Sequence, residues 1–416
     1  MRSNNICAAI CVLITLCLFP TVPYAQPKVK LGADVLLEKR LDLVKGKRVG
    51  IVTNHTGLLS SGKFLVDTLI ALRVEIVALF GPEHGIRGEA AAGERVQDGI
   101  DVKTGLPVFS LFGDRQKPTP EMLNNVDVLL YDIQDVGARF YTYTSTMAFV
   151  MEAAAERNIP IIVLDRPNPL GGMQIDGPIL EDSLRSFVGM FPIPVVYGLT
   201  CGELARMING EYWLGPKTSG VAYSLRAPLI VVEMEGWRRS MRWEDTNLHW
   251  IRPSPNIPSP SAALVYPATC FIEATNLSEG RGTERPFQMF GAPFINGEVL
   301  SAALTALHLQ GVRFRPVDFT PRSSKFSGRL CHGVFIEVTE VAFFQPVQTG
   351  LYILQLLQQQ YRQDFKLNEA SLKRLLGSTG ALKMLQKGDS PEKIVLTWEA
   401  ELSQFRYLAE RYYLYP

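Results

Sequence analysis

Five short apolar runs between residues 45 and 235 constrain the fold of this 416-residue chain more than any other feature of its sequence. They span residues 48–53, 74–80, 126–131, 161–164 and 229–232. Most are continuously apolar, which is typical of strands that helices cover on both faces of a parallel sheet. Between them, Leu65, Thr68, Leu69 and Leu72 recur at helical spacing, as do Met147, Val150, Met151 and Ala154. The pattern predicts an α/β fold with an open, doubly wound parallel sheet.

Polar loops follow four of these runs: TNHTG from residue 53, GPEHG from 81, DIQDVGARFYTY from 132 and DRPNPLGG from 165. In a doubly wound sheet, ligands bind in the crevice outside the carboxyl ends of the strands. We therefore expect a functional site at this edge. Its candidate side chains are Asn54, His55, Glu83, His84, Asp132, Gln134, Asp135, Arg139, Tyr141, Tyr143, Asp165, Arg166 and Asn168.

The proline-rich segment IRPSPNIPSP, residues 251–260, interrupts regular structure and predicts a domain boundary. It separates a catalytic α/β domain over 26–250 from a smaller α+β domain over 251–416. In the second part we predict helices over 300–309, 347–361 and 392–412, and a strand over 334–338. A second polar stretch, TNLSEGRGTERPF, begins at Thr275.

The first residues have the layout of a secretory signal peptide, with one Arg, an apolar stretch over 6–19 and a polar end near Ala25. We predict cleavage after residue 25 and a periplasmic or secreted protein with no stable membrane insertion afterwards; an uncleaved anchor is the alternative. The remaining Cys201, Cys270 and Cys331 allow at most one internal disulfide, whose pairing the sequence leaves open.

Composition and missing motifs exclude several functional classes. Lys and Arg total 42 against 41 Asp and Glu, so no electrostatic binding to nucleic acid is expected. The sequence has no GxxxxGK[ST] motif, and no GxGxxG follows the first strand, so we expect no nucleotide cofactor. HExxH, CxxC and GxSxG are also absent, and the five histidines are scattered, so we expect no metal site and no serine nucleophile.

Carboxylate chemistry fits the remaining residues. Cleavage of a glycosidic bond needs an acid that protonates the leaving oxygen and a second group that supports the oxocarbenium-like transition state. Glu83 is the best-placed acid, although pairing with Arg87 or with N–H groups of the turn is the alternative. Three roles are open for the cluster Asp132, Gln134 and Asp135. These residues either bind sugar hydroxyls, supply the second carboxylate, or stabilise the backbone of the turn.

Cys201 invites comparison with a thiol nucleophile. Thr200 and Glu203, however, have the spacing of a capping box that opens a helix. A helix cap therefore explains these residues without a catalytic role for the Cys201 thiol.

Taken in order, the motifs TNHTG, GPEHGIRG, DIQDVGARFYTYTSTM, LDRPNPLGG, SPNIPS and TNLSEGRGTERPF resemble those of the NamZ-type exo-β-N-acetylmuramidases. The resemblance implies a Rossmann-like N-terminal domain, a smaller C-terminal domain, and a cleft between them. It implies release of N-acetylmuramic acid from the non-reducing end of peptidoglycan fragments, with Glu83 as general acid/base. The implied substrate contacts are Asn54, His55, His84, Asp132, Gln134, Arg139, Asp165, Asn276, Glu279 and Arg281.

Muramic acid carries a lactyl carboxylate, so a selective pocket should contain a fixed cation. Candidates are Arg87, Arg139, Arg281 and Arg285, of which we favour Arg139 or Arg281. Two rivals remain: a non-catalytic periplasmic muropeptide-binding protein, and a thiol hydrolase that uses Cys201. Retaining, inverting and substrate-assisted mechanisms all stay open, as does the oligomeric state.

Overall fold

A computed structural model describes residues 29–88, 90, 93–215, 217–218, 221–222 and 225–416. The predicted signal peptide over residues 1–25 lies outside the described residues. The strands are β1 (Arg48–Thr53), β2 (Glu75–Gly81), β3 (Gly99–Ile100), β4 (Pro107–Ser110), β5 (Val128–Asp132), β6 (Ile161–Leu164), β7 (Lys217–Thr218), β8 (Val221–Ala222), β9 (Leu229–Val232), β10 (Met289–Ala292), β11 (Val312–Phe319) and β12 (Cys331–Val338).

The α-helices are α1 (Gly32–Lys39), α2 (Leu65–Ala71), α3 (Tyr143–Arg157), α4 (Cys201–Gly210), α5 (Pro260–Thr269), α6 (Gly297–Thr305), α7 (Pro346–Gln360), α8 (Glu369–Leu376), α9 (Thr379–Lys387), α10 (Pro391–Leu396) and α11 (Glu399–Glu410). Short 3₁₀ helices occupy Leu41–Leu43, Glu121–Leu123, Asp182–Leu184, Trp243–Thr246 and Cys270–Ala274.

Within the described residues, seven strands form the main sheet in the order β3-β4-β2-β1-β5-β6-β9. All neighbours run parallel except β3 and β4. The chain builds outward from β1 through β2 to β4 and then returns to β5 on the other side of β1. This reversal puts the topological switch point between β1 and β5. The predicted doubly wound α/β fold is confirmed.

The apolar runs become central strands because helices cover both faces of the sheet. On one face, Ile51, Leu79 and Leu130 pack with α1 and α2. On the other face, Phe80 and Tyr131 share a core with α3, α4 and the helices of the second half. A strand buried on both faces needs apolar side chains at every position, which explains why these runs do not alternate.

The second part of the chain has a smaller antiparallel sheet of order β10-β12-β11 within the described residues. Its core is continuous with that of the main sheet through α5 and α7. The predicted strand over 334–338 lies within β12, and the helices predicted over 300–309 and 347–361 correspond to α6 and α7. The predicted smaller α+β domain is confirmed as a fold class.

One helix prediction is wrong. The segment over 392–412 divides into α10 and α11, with Trp398 between them. The Thr397 hydroxyl donates to the carbonyl of Ile394 at 2.6 Å, and Trp398 N–H donates to Val395 O at 3.2 Å, which ends the first helix. The indole of Trp398 is only 2% exposed. Helical periodicity continues across the break, so the sequence pattern did not reveal it.

No helix of the described residues combines the length and the apolar character that crossing a membrane requires. Cys201, Cys270 and Cys331 are buried free thiols.

Residues 413–416 return to the N-terminal half and close its sheet edge. The Tyr415 hydroxyl donates to Asp165 Oδ2 at 2.6 Å and accepts from Met234 N–H at 2.9 Å. Leu414 N–H donates to Glu203 Oε1 at 3.0 Å. These bonds join residues that are 181 to 250 positions apart in the chain. They tie the last residues of the chain to its N-terminal half.

We predict that Tyr415→Phe lowers the free energy of unfolding by about 1–3 kcal/mol, because Asp165 and the Met234 N–H each lose a buried partner. Urea denaturation measures the change. Tyr407→Phe is the control, since Tyr407 is 76% exposed, and its effect should stay within about 0.5 kcal/mol. Equal stability of the two variants would contradict this role for Tyr415.

Candidate active site

The GPEHG segment forms a tight turn directly after β2. Gly85 N–H donates to Pro82 O at 3.0 Å, and His84 and Gly85 both have left-handed backbones with φ of 73° and 71°. A left-handed histidine is uncommon and marks a constrained turn. His84 is buried, with its Nδ1 2.9 Å from Ala90 O, whereas Glu83 is half-buried. The turn therefore separates the two side chains, with His84 supporting the loop.

The Glu83 carboxylate accepts a hydrogen bond on each oxygen. Gly93 N–H donates to Oε1 at 2.9 Å, and the Thr142 hydroxyl donates to Oε2 at 3.1 Å. Arg87, the alternative partner expected from sequence, instead forms a bidentate pair with Asp101 at 3.0 and 2.7 Å. Glu83 is thus held by neutral donors.

The Tyr143 hydroxyl joins three segments beside Glu83. It accepts from Asn54 Nδ2 at 2.9 Å, donates to Pro253 O at 2.8 Å, and lies 3.4 Å from Glu83 O. Burial raises the pKa of Tyr143, so the phenol remains a neutral donor. The loops after β1 and β2 and the proline-rich segment therefore meet at the first residue of α3.

His55 reinforces the same junction. Its Nε2 lies 2.7 Å from Arg252 O, and burial lowers the pKa of His55, so the neutral ring donates from Nε2. Gly88 has a φ of 74°, and a Cβ there would lie 2.4 Å from His55 Nδ1. Only glycine allows the GPEHGIRG loop to pack against this ring.

Several buried polar atoms at this edge have no hydrogen-bond partner among the described residues. They are His55 Nδ1, Gln134 Oε1, Asp135 Oδ1 and the Tyr141 hydroxyl. Buried polar atoms are normally paired, so these four unpaired atoms set this edge of the sheet apart from an ordinary core. Gln134 is fixed by its amide nitrogen, which donates to Asp135 O at 2.8 Å and Pro167 O at 2.7 Å. Burial raises the pKa of Asp135 to about 6.

Asp132 and Asp165 occupy different surroundings. Asp132 is fully buried and forms a bidentate pair with Arg166 at 2.7 and 2.9 Å. Asp165 accepts from Thr200 Oγ1 at 2.7 Å and Gly202 N–H at 2.8 Å, as well as from Tyr415. Their oxygens are already occupied, which does not fit the predicted substrate contacts. Both residues hold the strand ends in place.

Arg139 does not fit the predicted carboxylate-binding role either. Its guanidinium is 1% exposed. It donates to the carbonyls of Pro178 and Ile193, both at 2.9 Å, and to those of Leu375 and Leu376 at 2.9 and 2.8 Å. Burial lowers its pKa to about 9. Arg139 thus ties the loop before α3 to the end of α8.

The polar stretch of the second half forms its own charge network. Arg281 Nη2 donates to Glu273 Oε1 at 2.5 Å, and its Nε lies 3.2 Å from Glu279 Oε1. Lys325 Nζ donates to Glu279 Oε2 at 3.1 Å. Asn276 is separate, since it donates to Asp364 O at 2.8 Å and accepts from Lys366 N–H at 2.9 Å.

Aromatic rings connect this network to the edge of the main sheet. The Arg281 guanidinium lies 5.3 Å from the ring centroid of Phe287. The Phe287 and Tyr266 centroids are 4.7 Å apart, and those of Tyr266 and Tyr141 are 6.1 Å apart. Tyr141 in turn contacts Tyr143 at 4.9 Å. Arg281 and Glu279 are therefore linked to Glu83 by packing, with no direct bond.

The Cys201 thiol lacks the setting of a nucleophile. Thr200 Oγ1 accepts from Glu203 N–H at 3.1 Å, and Glu203 Oε2 accepts from Thr200 N–H at 3.0 Å, which completes the predicted capping box. Burial raises the pKa of Cys201 well above that of a free thiol, which disfavours the reactive thiolate.

A small cavity of about 40 Å³ lies beside this site at the topological switch point. Its lining includes Thr56, Leu59, Gln134, Arg166, Trp243 and His249, but not Glu83. An open groove on the protein surface is lined by residues that include His84, Gly85, Arg87 and Ile100. Among the described residues, no group of three or more His, Cys, Asp or Glu side chains could hold a metal ion.

Family comparisons agree with this arrangement. Residues 49–261 match the model "Exo-beta-N-acetylmuramidase NamZ, N-terminal", and residues 264–415 match its C-terminal counterpart. The chain belongs to the NamZ family. The predicted family and its glycosidase class are thereby confirmed.

Similar proteins include one relative named for its activity and two crystal structures. The chain is 48% identical over 392 residues to the peptidoglycan β-N-acetylmuramidase NamZ of Bacillus subtilis (strain 168), covering 94% of this chain and 92% of that protein. A crystal structure of a DUF1343 family protein from Bacteroides fragilis NCTC 9343 has a TM-score of 0.86 and 40% identity, covering 94% and 99% of the two chains. A second from the same strain has a TM-score of 0.74 and 33% identity, covering 93% and 99%.

Sequence reasoning missed two donors in this NamZ-family site. Thr142 lies within the DIQDVGARFYTY motif but was not singled out, and Gly93 lies outside every motif. Thr142 could have been found by its position at the start of a predicted helix that follows a site-edge strand. No sequence signal identifies Gly93. Its backbone N–H is the group that binds Glu83, and every residue except proline has such a group.

We predict that Arg139→Lys lowers the free energy of unfolding by about 2–4 kcal/mol, because an ammonium group does not reach four carbonyls in separate segments. Chemical denaturation measures the loss. Arg48→Lys, in an exposed pair with Asp127, is the control and should change the stability much less than Arg139→Lys. Unchanged stability with a raised KM would instead indicate that Arg139 contacts substrate.

We predict a pKa below 6.5 for His55 in an NMR titration, with His55→Gln used for assignment. The folded protein then binds this proton less readily than the unfolded chain. His55 should therefore reduce stability as the pH falls through about 6.5, and His55→Gln should remove that part of the pH dependence. A pKa at or above 6.5 would be incompatible with a desolvated ring.

Proposed function

We propose that this NamZ-family protein is an exported exo-β-N-acetylmuramidase that releases N-acetylmuramic acid from the non-reducing end of peptidoglycan fragments. The observation that carries the proposal is the half-buried Glu83 carboxylate, held by Gly93 N–H and the Thr142 hydroxyl where three loops converge. The 48% identity to the Bacillus subtilis peptidoglycan β-N-acetylmuramidase supports the substrate class. Export rests on the signal-peptide pattern of the first 25 residues.

In this mechanism Glu83 acts first as general acid and protonates the glycosidic oxygen as the bond from that oxygen to the anomeric carbon breaks. In a retaining or substrate-assisted reaction, the second group bonds to the anomeric carbon, and Glu83 then accepts a proton from the water that displaces it. In an inverting reaction, the second group is instead the base that activates the attacking water. The reaction uses no metal or cofactor. Fixing both carboxylate oxygens from the protein side limits rotation of the side chain, which favours a reactive geometry.

The second catalytic group is either a carboxylate or the acetamido group of the substrate. Asp132 is a poor candidate, because Arg166 already occupies both of its oxygens. Asp135 is the alternative carboxylate at this sheet edge, since its Oδ1 has no hydrogen-bond partner among the described residues. A protonated Asp135 would donate a hydrogen bond, and an ionised one would accept a bond from an acetamido N–H.

Recognition of the lactyl carboxylate requires a cation at the edge of the site. Arg139 and Arg87 are committed to other partners. Arg281 packs on Phe287, which is linked through Tyr266 and Tyr141 to Tyr143, but Glu273 and Glu279 already balance the charge of Arg281. Arg285 is exposed and supplies a guanidinium on the same loop. We therefore propose Arg281 or Arg285, rather than Arg139, for this contact.

Glu83→Gln should reduce release of N-acetylmuramic acid from a defined muramic acid–glucosamine disaccharide by at least about 100-fold. The reason is that the glutamine amide can neither protonate the glycosidic oxygen nor accept a proton from water. Product is quantified by chromatography with purified protein at several pH values. Glu244→Gln, which changes an exposed carboxyl group, is the matched control and should leave the rate unchanged.

Near-normal release by Glu83→Gln would refute the assignment of Glu83. Saturable binding of the disaccharide by the unmodified protein without product would instead favour the non-catalytic muropeptide-binding alternative. Full activity of Cys201→Ala would remove the thiol hydrolase.

A further inference from the structure

Thr142 has an unusual use for a residue at the start of a helix. It precedes α3, where a threonine side chain commonly accepts a hydrogen bond from a backbone N–H of the first turn. Here its backbone is helical, with φ of −70° and ψ of −8°, and its side chain makes no capping bond. The hydroxyl instead donates to Glu83 Oε2 at 3.1 Å. The helix thus forgoes a cap while the threonine contacts the proposed catalytic carboxylate.

We propose that Thr142 is the positioning residue for Glu83: its hydroxyl sets the rotamer of the carboxylate for proton transfer. This inference rests on the proposed function. Glu83 lies within a constrained turn and is only half-buried, so packing alone does not fix its side chain. A hydrogen bond to a carboxylate is charge-assisted and stronger than one between neutral groups.

The structure holds Thr142 itself in place. Its carbonyl accepts from Thr146 N–H at 3.0 Å within the first turn of α3. The next residue, Tyr143, is bonded to Asn54 and Pro253 through its hydroxyl. The donor is therefore preorganised by a rigid helix and two loops, as an effective supporting group must be.

Two consequences distinguish positioning from general stability. Loss of the hydroxyl should lower kcat, because fewer molecules hold the carboxylate in the reactive orientation, while substrate binding changes little. Thr142→Ser keeps a hydroxyl at this position and should also restore kcat, because the donor to the carboxylate is present again. A purely structural residue would produce neither effect selectively.

The test compares Thr142→Val, Thr142→Ser and Thr146→Val on the same disaccharide. Thr142→Val should lower kcat by about 10–100-fold, with KM within about threefold. Thr142→Ser keeps a hydroxyl and should recover most of the activity. Thr146→Val is the matched control: its buried hydroxyl lies on the same helix, 3.4 Å from Thr142 O, and no bond to Glu83 is lost.

The outcomes separate this inference from the proposed function. If the unmodified protein releases muramic acid and Glu83→Gln does not, but Thr142→Val keeps the normal kcat, the role of Thr142 is refuted and the function stands. If Thr146→Val loses as much activity as Thr142→Val, the effect is structural and the inference also fails. If the unmodified protein releases no muramic acid, both fail. Unfolding curves for all variants, and for Thr142→Ala as well, show whether any loss of activity is explained by a loss of folded protein.

Discussion

The hydroxyl of Tyr143 is the contact on which the site most depends. One buried phenol bonds the loop after β1 and the proline-rich segment, and lies next to the backbone of Glu83. These segments are separated by up to about 200 residues in the chain, and none could define the position of Glu83 alone. Tyr143 is the first residue of a 15-residue helix that packs on the sheet. The hydroxyl is therefore held in position by the packed core.

Buried charges stabilise the scaffold around this junction. The Asp132–Arg166 pair crosses between the ends of β5 and β6, and Arg139 gathers four carbonyls from both halves of the chain. Such groups are costly to bury unless every partner is present. Asp132 and Arg139, which the sequence suggests as substrate contacts, bond to the polar loops at the candidate site and hold them together in this structure.

Much of the fold could be predicted because its signals are local. Continuous apolar runs identified the central strands, and glycine and proline marked the turns at their carboxyl ends. The split between α10 and α11 was missed, because a side chain–backbone bond at Thr397 ends a helix whose periodicity continues. Glu83 was identified from its turn and its motif, whereas its donors Thr142 and Gly93 were not.

The sequence by itself determined the layered α/β architecture, the edge of the sheet that carries the site, and the family. Each depends on patterns within a few residues, or on motifs that keep their order along the chain. Only the tertiary structure decided the roles of individual polar residues. Asp132, Asp135, Arg139 and Arg281 are all charged residues in polar motifs, but their availability depends on distant partners. Arg139 is occupied by carbonyls more than 230 residues away, a contact that no local pattern encodes.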